Sequence, residues 1–193
     1  MTRILILIVA IATYGSVSSE IAVSQQRVRE TPRASSTERI KQQAQELSEA
    51  ILSANFDKAA ELTYPKLIDL MGGRTKFISA LREAMGQIQS DQFRLESVTV
   101  GEPRDLIQVK GQQYVIVPTT MKMKVPEGLL VGDAFMIGVS SDGGHNWTFV
   151  DSGGRSMDKT KLKILFPLAA EKLRLPEVKR PTLYRSPEPG ACR

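Results

Sequence analysis

Cysteine and histidine are nearly absent from this sequence of 193 residues. Cys192 is the only cysteine, so no internal disulfide can form, and the domain must be held together by its hydrophobic core. His145 is the only histidine, and nothing in the sequence has the spacing of a metal-ligand cluster. These absences exclude a disulfide scaffold, and we expect no metal site.

The short motifs of common catalytic and nucleotide-binding sites are also missing. The sequence contains no nucleophile elbow, phosphate loop or dinucleotide fingerprint, and the Gly-Gly pairs that begin at Gly72 and Gly143 are typical of turns. We therefore expect no cofactor. The length suits one domain with tails rather than two domains.

Long apolar runs are confined to the amino terminus. Arg3 precedes an uninterrupted apolar run at residues 4–12, and small and polar residues follow. This layout predicts a cleavable signal peptide over residues 1–19, with an uncleaved anchor as the alternative. We expect a periplasmic or secreted protein, and the lack of disulfides favours a bacterial compartment. Residues 20–36 are polar without apolar periodicity, which is typical of a flexible linker.

Positive charge is concentrated at the carboxyl terminus. Residues 155–193 contain ten Lys and Arg against four Asp and Glu, whereas the remainder contains sixteen against seventeen. Three interpretations are open: a solvated surface, weak contact with an anionic envelope surface, or nucleic-acid binding. Because no aromatic residues are interleaved with the basic ones, we expect no nucleic acid as a partner.

The carboxyl-terminal region divides into two predicted parts. Residues 155–175 are predicted to form a helical extension, with one short helix at 158–166 and a second that begins at Pro167. Residues 176–193 are rich in proline and are predicted to form a disordered basic tail.

Between the linker and the extension, residues 37–154 begin with helical patterns. The first predicted helix has an apolar stripe at four-three spacing, formed by Ile40, Ala44, Leu47, Ile51 and Ala54. Asn55 can cap a second helix, and Pro65 suits the first turn of a third. Gly72 and Gly73 then supply a left-handed stop before a fourth helix at about 75–88.

The second half of this domain is rich in β-branched residues. Strands are predicted at 93–100, at 106–109, at 114–125 and in both arms of a hairpin at 129–151. Helices followed by antiparallel strands predict an α+β fold.

The turn of that hairpin matches the Asp-box pattern S-x-D-x-G-x-x-W. Its members are Ser140, Asp142, Gly144 and Trp147. In such a turn the Ser and Asp oxygens accept turn amides while the Trp ring packs beneath, so these residues are interpreted as structural. A single copy without repeats excludes a propeller. His145 lies at the solvated tip, where a catalytic role is not expected.

Two acidic residues of the hairpin are candidate catalytic groups. Asp133 lies among bulky apolar residues on the alternate face that we expect to be buried. If Val139 pairs with Trp147, then Asp133 and Asp151 lie diagonally on that face at about 7 Å. Repulsion between them would raise a pKa, as acid/base catalysis requires. The structural alternative, which the pattern favours, has Asp133 bonded to a hydroxyl, lysine or amide and Asp151 solvated.

The order of these elements resembles that of the nuclear-transport-factor-2-like superfamily. The resemblance covers residues 37–154 and depends on the helices broken at Pro65 and Gly72-Gly73, followed by long strands that end in the SSDGGHNWTFVD hairpin. It implies a strongly bent antiparallel sheet wrapped by helices into a cone with an apolar pocket. Enzymes of the superfamily carry carboxylates, Tyr or His in the cone, and no such set aligns onto this sequence.

The resemblance guides the functional hypotheses. Residues expected to line a pocket, with ordinary core packing as the alternative, are Tyr64, Phe77, Met121, Met123, Phe135, Trp147 and Phe149. The first hypothesis is an exported, non-catalytic module that binds a small apolar molecule or forms a homodimer through its sheet. The second is a proton-transfer or dehydratase-type enzyme that uses Asp133 and Asp151. The third is an envelope interaction protein that acts through the basic tail.

Overall fold

A computed structural model of the protein describes residues 36–88, 92–153 and 157–185. The predicted signal peptide, nearly all of the predicted linker and the end of the predicted tail lie outside these residues. The described residues form an α+β fold, as the sequence predicts: helices come first, and a strongly curled antiparallel sheet follows as a half-barrel.

The helical layer consists of α1 (Ser36–Leu52), α2 (Phe56–Leu62), α3 (Pro65–Leu70) and α4 (Arg74–Ile88). Asn55 caps α2, because its Oδ1 accepts the N–H of Lys58 at 3.2 Å. Gly72 and Gly73 have positive φ angles of 89° and 96° and separate α3 from α4. Ala54 does not extend the stripe of α1, because the helix ends at Leu52 and Ala54 turns the chain with a φ of 56°. No helix within the described ranges has both the length and the apolar character needed to cross a membrane.

The sheet is built around one long hairpin. Its strands are β1 (Arg94–Val100), β2 (Arg104–Val109), β3 (Gln112–Val125), β4 (Gly128–Ser140), β5 (Thr148–Asp151) and β6 (Thr182–Arg185). β3 and β4 form the hairpin, β1 and β2 pair in succession with the free edge of β3, and β5 and β6 pair in succession with the free edge of β4. All of these pairings are antiparallel. The six strands therefore form a sheet that is four strands wide, in which β1 and β2 share one edge and β5 and β6 share the other.

The hairpin has two differently packed halves. In the inner half, formed by residues 112–118 and 135–140, every residue from Tyr114 to Val117 and from Phe135 to Ser140 is buried. The core on its α1 face is formed by Ile40, Ala44, Leu47, Ala50, Ala59, Leu62, Val115, Val117, Met136, Trp147 and Phe149. The core on its other face is formed by Tyr114, Ile116, Phe135, Ile137, Val139, Val150, Leu162, Leu165, Phe166, Ala169 and Leu173. In the outer half, residues 119–125 and 128–134, most side chains keep some exposure to solvent.

The register between β4 and β5 differs by one residue from the predicted one. Val139 pairs with Thr148, not with Trp147. Because side chains alternate along a strand, a shift of one residue moves every side chain of β5 to the opposite face. The prediction of one common buried face is therefore wrong. The predicted register would put Phe135, Ile137, Trp147 and Phe149 on one face. All four are buried, but Trp147 and Phe149 lie on the α1 face and Phe135 and Ile137 on the other.

The carboxyl-terminal region departs from two predictions. The first predicted helix is present as α5 (Lys159–Leu165), capped by Asp158, whose Oδ1 accepts the N–H of Lys161 at 2.8 Å. The second predicted helix is wrong, because the segment after Pro167 forms turns. The predicted disordered tail is wrong for β6, which pairs with the outer half of β4. This pairing satisfies backbone groups that an open sheet edge would leave unpaired.

Candidate functional site

The Asp-box turn joins β4 to β5 and has the hydrogen bonds that its pattern predicts. The hydroxyl of Ser140 donates to Asp142 Oδ1 at 2.8 Å and accepts the N–H of Gly144 at 2.9 Å. Asp142 Oδ1 also accepts the N–H groups of His145 and Asn146, each at 3.0 Å. These donors, of which the Asn146 amide has the largest effect, hold the pKa of Asp142 well below its ordinary value. The side chains of Ser140 and Asp142 are thus engaged in hydrogen bonds within the turn, which supports their structural interpretation.

This turn is also tied to the helical layer. The indole N–H of Trp147 donates to the carbonyl of Gly144 at 3.1 Å, while its backbone N–H donates to Gln43 Oε1 on α1 at 2.7 Å. His145 is exposed, and its Nδ1 lies 3.1 Å from Arg39 Nη1. The turn therefore fixes the hairpin on α1.

The two candidate carboxylates do not meet. Asp133 is exposed and accepts the hydroxyl of Thr120 at 3.3 Å, as the structural alternative expects. Asp151 pairs with Met136 and so belongs to the α1 face, opposite to that of Asp133. Its Oδ1 accepts the N–H of Gly153 at 2.9 Å, and desolvation raises its pKa, although the residue keeps an exposed side. The prediction that Asp133 and Asp151 form a diagonal pair is therefore wrong. A catalytic role for either residue alone stays a prediction.

One open cavity of about 570 Å³, the sheet groove, lies beside Asp133. β5 ends opposite Met136 and β6 begins opposite Val131, so neither strand pairs with residues 132–135 of β4 in this gap. The groove is lined by Arg104, Pro118, Thr119, Thr120, Asp133, Ala134, Phe135, Pro176, Glu177, Val178 and Lys179. Among these residues are two cations, Arg104 and Lys179, and two anions, Asp133 and Glu177, so this lining has no net charge.

A second cavity of about 510 Å³, the helix cleft, lies where three helices meet the start of β1. Its lining consists of Ile51 and Leu52 at the end of α1, Ala54, Phe56 of α2, Arg82, Met85 and Gly86 of α4, and Arg94. The positive φ at Ala54 places α2 beside the end of α1, and Phe56 and Met85 are buried at the base. The guanidinium carbon of Arg82 lies 5.7 Å from the centre of the Phe56 ring. Within the described part of the chain, this lining is mainly apolar and contains no acidic side chain.

The residues predicted to line a pocket are distributed over the molecule. Trp147 and Phe149 fill the core beneath α1, and Tyr64 stacks on Phe166 with ring centres 5.5 Å apart. Phe77 is buried in α4. Met121 and Met123 are half-buried on the outer half of the hairpin. Of the predicted set, only Phe135 lines the sheet groove, and none lines the helix cleft.

The helix cleft was not predicted from the sequence, although one signal for it exists. Gly86 interrupts an otherwise favourable helical pattern, and a glycine in a helix interior costs about 1 kcal/mol relative to alanine. Apart from its chain neighbours and the backbone of its own helix, a Cβ atom added at Gly86 would meet no heavy atom of the described residues within 4 Å, and the position lines the cleft. Within the described ranges, no three His, Cys, Asp or Glu side chains converge as a metal site would require. Comparison of the sequence with protein-family models and with curated proteins finds no match.

Proposed function

We propose that the protein is a non-catalytic binding module that holds a small, largely apolar molecule in the helix cleft. The observation that carries this proposal is the mainly apolar lining of a cavity of about 510 Å³ that is open to solvent. Small-molecule sites are typically concave, mainly apolar and about 300–1,000 Å³ in volume. The predicted export would place this binding outside the cytoplasm.

The composition of the lining supports binding rather than catalysis. Among the residues that the structure describes, the only ionisable side chains that line the cleft are Arg82 and Arg94, and arginine stays protonated in proteins. Acid/base chemistry needs a group that exchanges a proton near the working pH, and the described lining offers none. The homodimer through the sheet and the contact of the tail with an anionic envelope surface stay predictions.

Filling the cleft from Gly86 tests the proposal. Gly86→Phe places an aromatic ring in the cavity, and because the glycine has no positive φ, the substitution fits the backbone of α4. We expect the neutral fluorescent probe N-phenylnaphthylamine to bind the parent protein and to bind Gly86→Phe at least tenfold more weakly.

Gly86→Ala is the matched control, because it removes the glycine and leaves most of the cleft open. We expect it to bind the probe as the parent does and to unfold at a slightly higher temperature. Equal affinity of the probe for the parent and for Gly86→Phe, with both proteins folded by circular dichroism, would overturn the proposal.

A further inference from the structure

The charged side chains of the helix cleft are both cations. Arg82 comes from α4 and Arg94 from the first position of β1, and both residues are exposed. Among residues 36–88, 92–153 and 157–185, neither guanidinium lies within ion-pair distance of a carboxylate. Arg74 of the same helix is different, since its Nη2 lies 3.0 Å from Asp57 Oδ1. The cleft therefore presents positive charge that no carboxylate of the described residues neutralises.

The position of Arg82 leaves its hydrogen-bond donors available. Its guanidinium lies within cation–π distance of the Phe56 ring, a contact that does not depend on hydrogen bonds from its N–H groups. The N–H donors of a guanidinium lie in its plane and match the two oxygens of a carboxylate or phosphate. Phe56 thus holds Arg82 at the cleft wall while the edge of the guanidinium can bind an anion.

The rest of the lining suits an aliphatic chain. Ile51 and Leu52 are half-buried, so their apolar surface is partly in contact with water, and Phe56 and Met85 form a buried base. An apolar chain on these residues would remove this surface from water, which is the main favourable term in apolar binding. The positive charges of the two arginines would at the same time attract an anionic group in the cleft.

We propose that the ligand of the helix cleft is an amphipathic anion, a single aliphatic chain with an acidic head group that Arg82 and Arg94 bind. This inference rests on the proposed function and adds the chemistry of the ligand to it. The same head-group chemistry is found in a free fatty acid and in a single-chain phospholipid.

Two ligands that differ only in the head group test the inference. Decanoate and decanol have the same chain, and calorimetric titration of the full chain measures the affinity of each. We expect the parent protein to bind decanoate at least tenfold more tightly than decanol. We expect each added methylene of a longer acid to raise affinity about fourfold, until the cleft is full. The preference for the acid falls as salt is added, because ions screen exposed charges.

Three variants connect this preference to the arginines. Arg82→Gln and Arg94→Gln are expected to lose most of the preference for decanoate while binding decanol as the parent does. Arg74→Gln is the control, because it removes the same charge from α4 at a side chain that pairs with Asp57 outside the cleft lining. We expect Arg74→Gln to keep the preference.

The outcomes separate this inference from the proposed function. If the parent binds both ligands equally, or if the double variant of Arg82 and Arg94 keeps the preference, the inference is overturned. Binding of decanol that Gly86→Phe abolishes would leave the proposed function intact. If neither ligand binds the parent protein, both proposals fail. Decyl phosphate and the lysophosphatidylglycerol with a ten-carbon acyl chain, titrated in the same way, identify the source: tighter binding of either points to a phosphorylated lipid, and tighter binding of decanoate to a free acid.

Discussion

The inner and outer halves of the β3–β4 hairpin have the same backbone pairing but different surroundings. Ile116 and Ile137 are partners in the inner half, and both are fully buried. Lys122 and Val131 are partners in the outer half, where the lysine is exposed and the valine half-buried. The inner half lies between α1 and the segment that contains α5, whereas β6 adds only an edge to the outer half.

The difference shows that the sequence pattern of a strand can change where its surroundings change. The inner part of β3 contains the continuous apolar run Tyr-Val-Ile-Val at 114–117, which is typical of a strand covered on both faces. The outer part reads Met-Lys-Met-Lys at 121–124, an alternation typical of a strand with one wet face. The change of pattern within one strand marks where the second layer ends.

The largest expected effect comes from removing the same side chain in the two halves. Met136 is 1% exposed in the α1 core, whereas Met123 is half-buried in the outer half. We expect Met136→Ala to lower the free energy of unfolding by about 2–5 kcal/mol, because it removes buried surface and leaves a cavity. Met123→Ala should cost less than half as much. Urea unfolding measures both, and equal losses would contradict the division of the hairpin.

A second pair of variants adds an atom instead of removing a side chain. A Cβ at Gly138 in the inner half would lie 2.8 Å from Val115 Cγ1 and 3.0 Å from Phe149 Cε1. Overpacking of this kind typically costs about 1–3 kcal/mol, so we expect Gly138→Ala to lower the melting temperature by several degrees.

Gly132→Ala is the matched control in the outer half of β4. There the added atom would lie 3.3 Å from Pro181 Cβ and 3.6 Å from Met121 Cε. Pro181 is exposed and Met121 is half-buried, so both can move slightly. Replacing the glycine also reduces the entropy of the unfolded chain, so we expect a change within about 1 kcal/mol of zero. A larger loss in Gly132→Ala than in Gly138→Ala would show that the outer half is the more tightly packed.

The elements that the sequence predicted are those with local signals. Asn55 caps α2, Gly72 and Gly73 stop α3, and β-branched runs form the strands, so the α+β fold followed from residues close together in the chain. The register of β5 did not follow. Trp147 donates its backbone N–H to Gln43, 104 positions earlier, instead of to β4, so the ladder begins at Thr148. A long-range hydrogen bond of this kind leaves no local pattern.

The candidate site, the helix cleft, also could not be predicted from sequence patterns of neighbouring residues. The predicted pocket consisted mainly of bulky residues of the strands, together with Tyr64 and Phe77. Two of the strand residues, Trp147 and Phe149, instead fill the core that holds α1. The helix cleft arises at the ends of three helices, where the turn at Ala54 and the small residue Gly86 leave space. Its two arginines are far apart in sequence from Phe56, and only the fold brings these residues together. A cavity between elements depends on their packing, which the alternation of side chains does not determine.

The smallest expected effect concerns the turn that closes the inner half. Amides of the turn, that of Asn146 foremost, lower the pKa of Asp142, so the folded protein favours the charged carboxylate more than the unfolded chain does. This contribution is present above the ordinary carboxyl range and is lost as the pH falls toward the lowered pKa. We therefore expect Asp142→Asn to melt a few degrees below the parent at neutral pH, and the gap to narrow at about pH 3 and below. Asp133→Asn removes the same charge in the outer half, where the carboxylate has one 3.3 Å bond to Thr120, and should change the melting temperature less. If the two variants behaved alike at every pH, the Asp-box bonds would add nothing to the inner half beyond what any strand carboxylate gives.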